Sequence, residues 1–206
     1  MAIHPSAIVE PDVTIGRGTA IWDNVHVRHS ARIGEECIIG EKTYVAYGVR
    51  IGDRVKINAS VYICNGVTIE RGVMIAAGTV FTNDRFPRAT TSDLHTLLPS
   101  EPDEHTLPTL VREGATIGAN ATVGCGLTIG RFAMVGMGSV VTHDIPDFIL
   151  AAGNPARAVG YVCACGLPLI PGVHGLLDGP QEIHCQACGL RYEIAGKSVV
   201  QLARAS

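Results

Sequence analysis

Residues 33–52 read Ile33-Gly34-Glu35-Glu36-Cys37-Ile38-Ile39-Gly40-Glu41-Lys42-Thr43-Tyr44-Val45-Ala46-Tyr47-Gly48-Val49-Arg50-Ile51-Gly52. Ile33, Ile39, Val45 and Ile51 recur every six positions. The comb extends both ways: Ile3, Val9, Ile15, Ile21 and Val27 precede it, and Ile57, Ile63, Ile69, Ile75 and Phe81 follow without a miss. An amphipathic helix repeats at about 3.6 residues and a half-buried strand at 2, so neither accounts for a period of six. Short β-branched strands joined by turns and returning to one core do account for it, and that is the signature of a hexapeptide parallel β-helix. Two residues before each tooth stand small or β-branched side chains, from Ala7, Val13, Thr19 and Val25 through to Val73 and Thr79, as closely packed strands require. Glycine follows the tooth at Gly16, Gly34, Gly40 and Gly52, read here as turn positions that need a permissive backbone. A β-sandwich with accidental spacing does not sustain fourteen consecutive matches.

The comb stops after Phe81. Thr82 to Leu110 holds Pro87, Pro99, Pro102 and Pro108 among polar residues, an extended loop of a length that is usually functional or disordered. It resumes at Val111, thirty residues after Phe81 and therefore in phase, and runs through Ile117, Val123, Ile129 and Val135 to Val141. The prism is expected to continue as though the loop were ejected from one corner. Past Val141 the period breaks, and Pro146 is expected to end the ladder.

The chain has 206 residues, 47% hydrophobic but only 5% aromatic. That suits one main domain with a small appendage and a narrow Val/Ile/Ala core. A net charge of -3 without a basic run lacks the electrostatic footprint of a nucleic-acid binder. No apolar run approaches the ~18 residues of a membrane span. Met1-Ala2-Ile3-His4-Pro5 enters the repeat at once with no signal-peptide pattern, so a cytoplasmic protein is expected. Cys37, Cys64 and Cys125 fall singly within repeats and read as buried thiols. Cys163, Cys165, Cys185 and Cys188 cluster near the C-terminus, with glycine after each pair. They suit a closed tetrahedral zinc site, His174 and His184 being alternative ligands. Cys-x-Cys in the first pair departs from the commoner Cys-x-x-Cys.

The comb resembles the left-handed β-helix acyltransferases, whose hexapeptides stack three to a coil. The resemblance implies an all-β left-handed parallel β-helix over residues 1–160 with its long loop at 82–110; the cysteine cluster departs from the family pattern and reads by its spacing as a zinc-ribbon-like module at 161–206. It also implies a homotrimer with acetyl-coenzyme A in a groove between prisms. Gly153-Asn154-Pro155-Ala156-Arg157 resembles the loop on which that family rests coenzyme A. Thr82-Asn83-Asp84-Arg85-Phe86-Pro87-Arg88 resembles the Phe-Thr-Asn…Pro-Arg segment of bacterial N-acetyltransferases of nucleotide-linked amino sugars, and Trp22-Asp23-Asn24-Val25-His26 resembles their early coils.

By that likeness Asn83, Asp84 and His26 are the candidate catalytic residues. Ala77, Gly78, Gly118, Asn120, Gly136, Gly138, Asn154, Pro155, Ala156 and Arg157 are the candidates for holding acetyl-coenzyme A. Trp22, Arg28, Asn58 and Arg88 are the candidates for the acceptor. An amide cannot act as a general base, so the base must lie elsewhere than Asn83. Three other readings stay open: O-acetylation of a sugar or antibiotic hydroxyl using His95 or His105, a γ-type carbonic anhydrase built on His26 and His29, and a non-catalytic scaffold. The third histidine that the carbonic anhydrase requires has no matching position downstream.

Overall fold

The computed structural model describes residues 2–171 and 175–202. Almost every comb tooth is the second residue of a two-residue strand, and successive strands pass to three parallel sheets in turn. The first face stacks Ala2–Ile3, Ala20–Ile21, Ile38–Ile39, Lys56–Ile57, Met74–Ile75, Thr116–Ile117, Met134–Val135 and Ile149–Gly153. The second stacks Ile8–Val9, His26–Val27, Tyr44–Val45, Tyr62–Ile63, Val80–Phe81, Thr122–Val123 and Val140–Val141. The third stacks Thr14–Ile15, Arg32–Ile33, Arg50–Ile51, Val67–Ile69, Thr109–Val111 and Thr128–Ile129. Residues eighteen apart are partners, as in Ile21↔Ile39 and Val27↔Val45. The result is a parallel β-helix of about eight coils.

Teeth and the residues two before them both point inward, and the residue between points out. Hence Val25, Val27, Ala31, Ile39, Val45, Val49, Ile57 and Ile63 are fully or almost fully buried. The buried threonines answer for polar atoms as well as volume. Thr19 donates to the Gly34 carbonyl at 2.7 Å and accepts from the Cys37 N–H at 3.0 Å, and Thr43 donates to the Asn58 carbonyl at 3.1 Å. Each hydroxyl lies between coils and leaves no buried group unpaired.

The turn requirement falls elsewhere than on the glycines after the teeth. The left-handed residue stands three positions before the tooth, as at Asp12, Gly18, Asn24, Lys42, Gly48, Arg54, Gly78, Asn120 and Gly138. Gly16, Gly34, Gly40 and Gly52 are instead required by the coil stacked against them. A Cβ on Gly16 would lie 2.5 Å from the Glu35 nitrogen, and one on Gly52 would lie 2.7 Å from the Arg71 nitrogen.

The loop leaves after Phe81 on the second face and the chain re-enters on the third at Thr109, two residues earlier than the expected boundary. Val111 pairs with Ile69 and Val123 with Phe81, so the phase is kept. The ladder does not end at Pro146. Ile145 bridges Ile129, its carbonyl accepts the Gly130 N–H at 2.7 Å, and Ile149–Gly153 stacks on Met134–Val135. This last coil is sixteen residues long because two are missing between Val141 and Ile145. Pro146 follows the bridged residue, where no ladder N–H is needed.

Ala156–Tyr161 then folds back antiparallel on Ile149–Gly153. A three-stranded antiparallel sheet of Gln181–His184, Arg191–Ala195 and Ser198–Gln201 completes the described chain. Tyr192 from this sheet is fully buried and packs edge-on against Phe148, itself stacked on Phe132. The tail therefore plugs one end of the prism, whereas Ile3 and Ile8 at the other end are 39% and 58% exposed.

The stacking glycines give a direct test. Gly16→Ala and Gly52→Ala should each cost about 1–3 kcal/mol, the range for overpacking. Lys42→Gly, at a left-handed position, should change stability by under about 1 kcal/mol, since relief of strain is offset by backbone entropy. Urea unfolding of the three variants measures both.

Candidate functional site

The loop is closed at its root by a short antiparallel ladder. The Leu107 N–H donates to the Asn83 carbonyl at 2.9 Å, the Arg85 N–H to the His105 carbonyl at 3.1 Å, and the Thr106 hydroxyl to Asp84 Oδ1 at 3.1 Å. That closure holds the two ends of the interruption together where the comb leaves and resumes in phase. It also encloses a cavity of about 340 Å³ whose lining includes Asn83, Asp84, Arg88, Glu101 and His105. Phe86 meets His105 edge-on at 5.6 Å, and the Arg85 guanidinium lies over the Phe86 ring. Asn83, Asp84 and Arg88 thus share one cavity, and His105 joins them. His95 lies farther out on the loop, where its N–H donates to Asp93.

His26 is not with them. It stands on the second face in the register His26↔Tyr44↔Tyr62↔Val80, three coils below the loop root. At 4.7–4.9 Å per coil that is about 14 Å. Its Nε2 lies 2.8 Å from Glu10 Oε1, and its ring meets Tyr44 edge-on, which in turn stacks on Tyr62. Arg28 shares this cluster. Its Nε lies 2.6 Å from Glu10 Oε1 without hydrogen-bond alignment, and it donates to the Tyr44 hydroxyl at 2.9 Å. Arg28, followed by the His29 N–H, holds the Glu10 carboxyl down at about 2. His29 turns away and stacks on Tyr47, so His26 and His29 serve different neighbours. Glu10 and Tyr44 were missed by sequence reading; only their eighteen-residue offset from Arg28 and Tyr62 could have flagged them.

The candidate coenzyme residues line a different edge. Gly118 and Gly136 each follow a first-face tooth, and Ala77-Gly78, Asn120 and Gly138 turn the same corner. The acceptor candidates Trp22 and Asn58 also follow first-face teeth, on this edge and outside the cavity that Arg88 lines. The Asn120 N–H donates to the Ala77 carbonyl at 2.9 Å and the Gly138 N–H to the Ala119 carbonyl at 2.8 Å. Close stacking explains two of the glycines. A Cβ on Gly78 would run into the Asn120 amide, and one on Gly118 would meet the Met137 nitrogen at 2.5 Å. Trp22 is 53% exposed. The Asn154-Pro155 bond is cis, and the Gly153 N–H donates to the Ser139 hydroxyl at 3.1 Å, which sets this turn above the same corner. Ala156 is buried. The Arg157 side chain donates to the Ala156 carbonyl and also lines a second cavity against the tail. The two edges flank opposite borders of the second face.

The cysteines converge. The sulfurs of Cys163, Cys165, Cys185 and Cys188 all lie within 4.8 Å of one another, with Cys163 to Cys188 at 3.5 Å and Cys165 to Cys185 at 3.7 Å. Four thiolates about 2.3 Å from a tetrahedral zinc would be about 3.8 Å apart, so the donor set and its size fit that ion. The buried Tyr192 hydroxyl lies 3.1 Å from Cys163 Sγ and accepts the Ala164 N–H at 3.0 Å, an outer contact of the kind that orients metal ligands. Burial pushes the Cys163 thiol up to about 12. Burial also raises Cys185, but the N–H groups of Cys188 and Ala187, with the neighbouring thiols, outweigh it and bring Cys185 down to about 6. His184 lies outside the cluster, 3.3 Å from Glu182. His174 is outside the described residues.

Comparison with known proteins agrees with this architecture. Residues 12–47 and 48–83 match the bacterial transferase hexapeptide (six repeats), and residues 30–65 and 108–143 match the hexapeptide repeat of succinyl-transferase. Over 94 residues, 46% of this chain, the sequence is 49% identical to the dTDP-3-amino-3,6-dideoxy-alpha-D-galactopyranose 3-N-acetyltransferase of Aneurinibacillus thermoaerophilus. The chain spans less than half the length of the curated relatives it matches. The fold is shared with AntD, an N-acyltransferase from Bacillus cereus solved as a variant with dTDP and coenzyme A. The TM-score is 0.51 at 20% identity, over 77% of this chain and 80% of that one. It is shared also with the acetyltransferase domain of PglB from Neisseria gonorrhoeae in complex with acetyl coenzyme A. Here the TM-score is 0.50 at 23% identity, over 76% of this chain and 56% of that one. With matched repeats over just over half its length and the three-faced parallel β-helix they fold into, the chain belongs to the hexapeptide-repeat transferase superfamily, whose prism is left-handed.

Proposed function

We propose that the protein transfers the acetyl group of acetyl-coenzyme A to the amine of a nucleotide-linked amino sugar. The observation that carries this is the 49% identity to a dTDP-3-amino sugar 3-N-acetyltransferase. The geometry agrees: Asn83, Asp84 and Arg88 surround one cavity at the loop root. In this reading the amine nitrogen attacks the thioester carbonyl, a C–N bond forms, the C–S bond breaks, and coenzyme A leaves as the thiol. The Asn83 amide orients the amine or donates to the developing oxyanion. Asp84, held by Thr106, is the carboxylate on hand to receive the amine's proton. Arg88 is placed for a phosphate or carboxylate of the acceptor.

The same reading makes the protein a homotrimer. The coenzyme edge and the loop root lie on opposite borders of the second face, so one chain does not bring them together; a neighbouring copy does. The outward side chains Ile8, Tyr62 and Val80 of that face are 58%, 45% and 38% exposed, which suits burial against another subunit. Residues 1–160 form the catalytic prism and residues 161–206 the appended module, with one structural zinc on the four cysteines. Thiols kept reduced for a metal fit a cytoplasmic setting. Among the described residues no helix is long and apolar enough to cross a membrane.

One observation favours a second reading. His105 lines the same cavity as Asn83, where a base would serve O-acetylation of a hydroxyl. His95 is absent from that lining.

Acetyl-coenzyme A-dependent thiol release, measured with UDP- and dTDP-linked 3-amino and 4-amino sugars and their hydroxyl counterparts, separates the readings. Turnover with amines only, falling about 100-fold or more in Asn83→Ala as when an oxyanion donor is removed, is the expected result. Turnover on hydroxyls, lost in His105→Ala, makes it an O-acetyltransferase. Light scattering should give three chains per particle, and Tyr62→Glu should shift it toward one by burying a charge at the contact.

A further inference from the structure

A cavity of about 310 Å³ lies where the last coil meets the tail, lined by Ile145, Pro146, Ile149, Arg157, Lys197 and the His143-Asp144 pair. Its two fixed cations come from different parts of the chain. Arg157 belongs to Ala156–Tyr161, the strand leaving the Gly153–Asn154–Pro155 turn, and Lys197 sits between Arg191–Ala195 and Ser198–Gln201. Among the described residues neither forms an ion pair with a carboxylate. Asp144, the carboxylate in the lining, is occupied by the Thr128 N–H at 2.8 Å.

One contact fixes the turn that carries Lys197, and a second fixes the group that makes it. The Tyr161 hydroxyl donates to the carbonyl of Gly196, the residue before it, at 2.7 Å and accepts the Leu177 N–H at 2.9 Å. Two residues past Tyr161 the chain enters the four-sulfur cluster, and Cys185 and Cys188 of that cluster precede the strand that leads to Lys197. The module is therefore pinned at the residue before the lysine and, one strand earlier, at the cysteine cluster.

We propose that this pocket takes the phosphate-bearing nucleotide end of coenzyme A, with Lys197 of the metal-held tail and Arg157 of the prism as its paired cations. The proposal rests on the acetyl-coenzyme A reading above. A phosphate monoester carries a charge near -1.5 to -2 at neutral pH, Arg supplies a fork and Lys a point charge, and the apolar floor of Ile145, Pro146 and Ile149 offers a surface for a base. The tail is then part of the donor's site as well as a plug for the prism.

Calorimetric titration of the full zinc-loaded chain with coenzyme A, 3'-dephospho-coenzyme A and dTDP tests this. In Lys197→Gln the Kd for coenzyme A should rise roughly 10- to 100-fold, as for loss of one charged hydrogen bond. The values for the dephospho form and for dTDP should stay within twofold of wild type, and Tm should be unchanged. Metal analysis should give one zinc per chain, lost in Cys185→Ser/Cys188→Ser, with coenzyme A affinity falling at least as far. Unchanged coenzyme A affinity in Lys197→Gln, or loss of dTDP affinity instead, overturns the assignment while the proposed activity stands. If the double cysteine variant keeps full affinity and Lys197→Gln does not, the lysine's role stands and the metal's part in it falls. A wild-type chain that binds no coenzyme A overturns both this proposal and the acyl-donor reading.

Discussion

Everything in this molecule answers to one backbone constraint: each coil must hydrogen-bond to the coil eighteen residues on. The Ala20 N–H reaches the Cys37 carbonyl at 2.8 Å, the Gly34 N–H the Ile51 carbonyl at 2.8 Å, and the Asn58 N–H the Ile75 carbonyl at 2.9 Å. Strands of two residues have too few bonds to stand alone, so stability lies in the stack. Stacking turns each position of the hexapeptide into a column with its own rule. Teeth must fill the prism, the residues two before them must be small or able to satisfy a carbonyl as Thr19 and Thr43 do, and glycine enters where the next coil's backbone leaves no room for a Cβ.

The same constraint explains how function is placed. A stacked coil can accept an insertion only at a corner, and only if the chain returns where it left. Thr82 to Pro108 meets that condition because Asn83, Arg85 and Thr106 tie the two strands of the root together. Chemistry-bearing residues are thereby fixed on a rigid support while the loop encloses a cavity around them. The columns also separate the coenzyme edge from the loop root by one whole face. On the proposed trimeric reading a single prism offers two half-sites, and the exposed apolar side chains between them are the surface on which chains would meet.

The two ends of the prism are treated differently. The first coil leaves Ile3 and Ile8 partly open. The last coil drops two residues, reverses into Ala156–Tyr161, and is covered by a sheet whose buried Tyr192 touches Phe148 on one side and the cysteine cluster on the other. A segment of this size holds little apolar core of its own, and the zinc proposed for the four convergent sulfurs would staple it as metals do in other small modules.

How much could be read from the sequence follows from what repeats. The teeth, the inner register, the in-phase loop and the grouping of Cys163, Cys165, Cys185 and Cys188 were legible, because a period and a cysteine count survive in one dimension. The reason for Gly16, Gly34 and Gly52 was not: the atoms that exclude a Cβ belong to a coil eighteen residues away, and the left-handed turn sits at another register. Nor was Pro146 legible as the continuation of a coil, since the bridge of Ile145 to Ile129 depends on a shortened turn. Sequence alone therefore determined the prism, its interruption and its appendage. Only the tertiary structure decided that His26 serves Glu10 three coils away from Asn83, that His105 stands with Asn83, and that Lys197 lines one cavity with Arg157. Those neighbours are set by which coil lies over which, a distance that no local spacing contains.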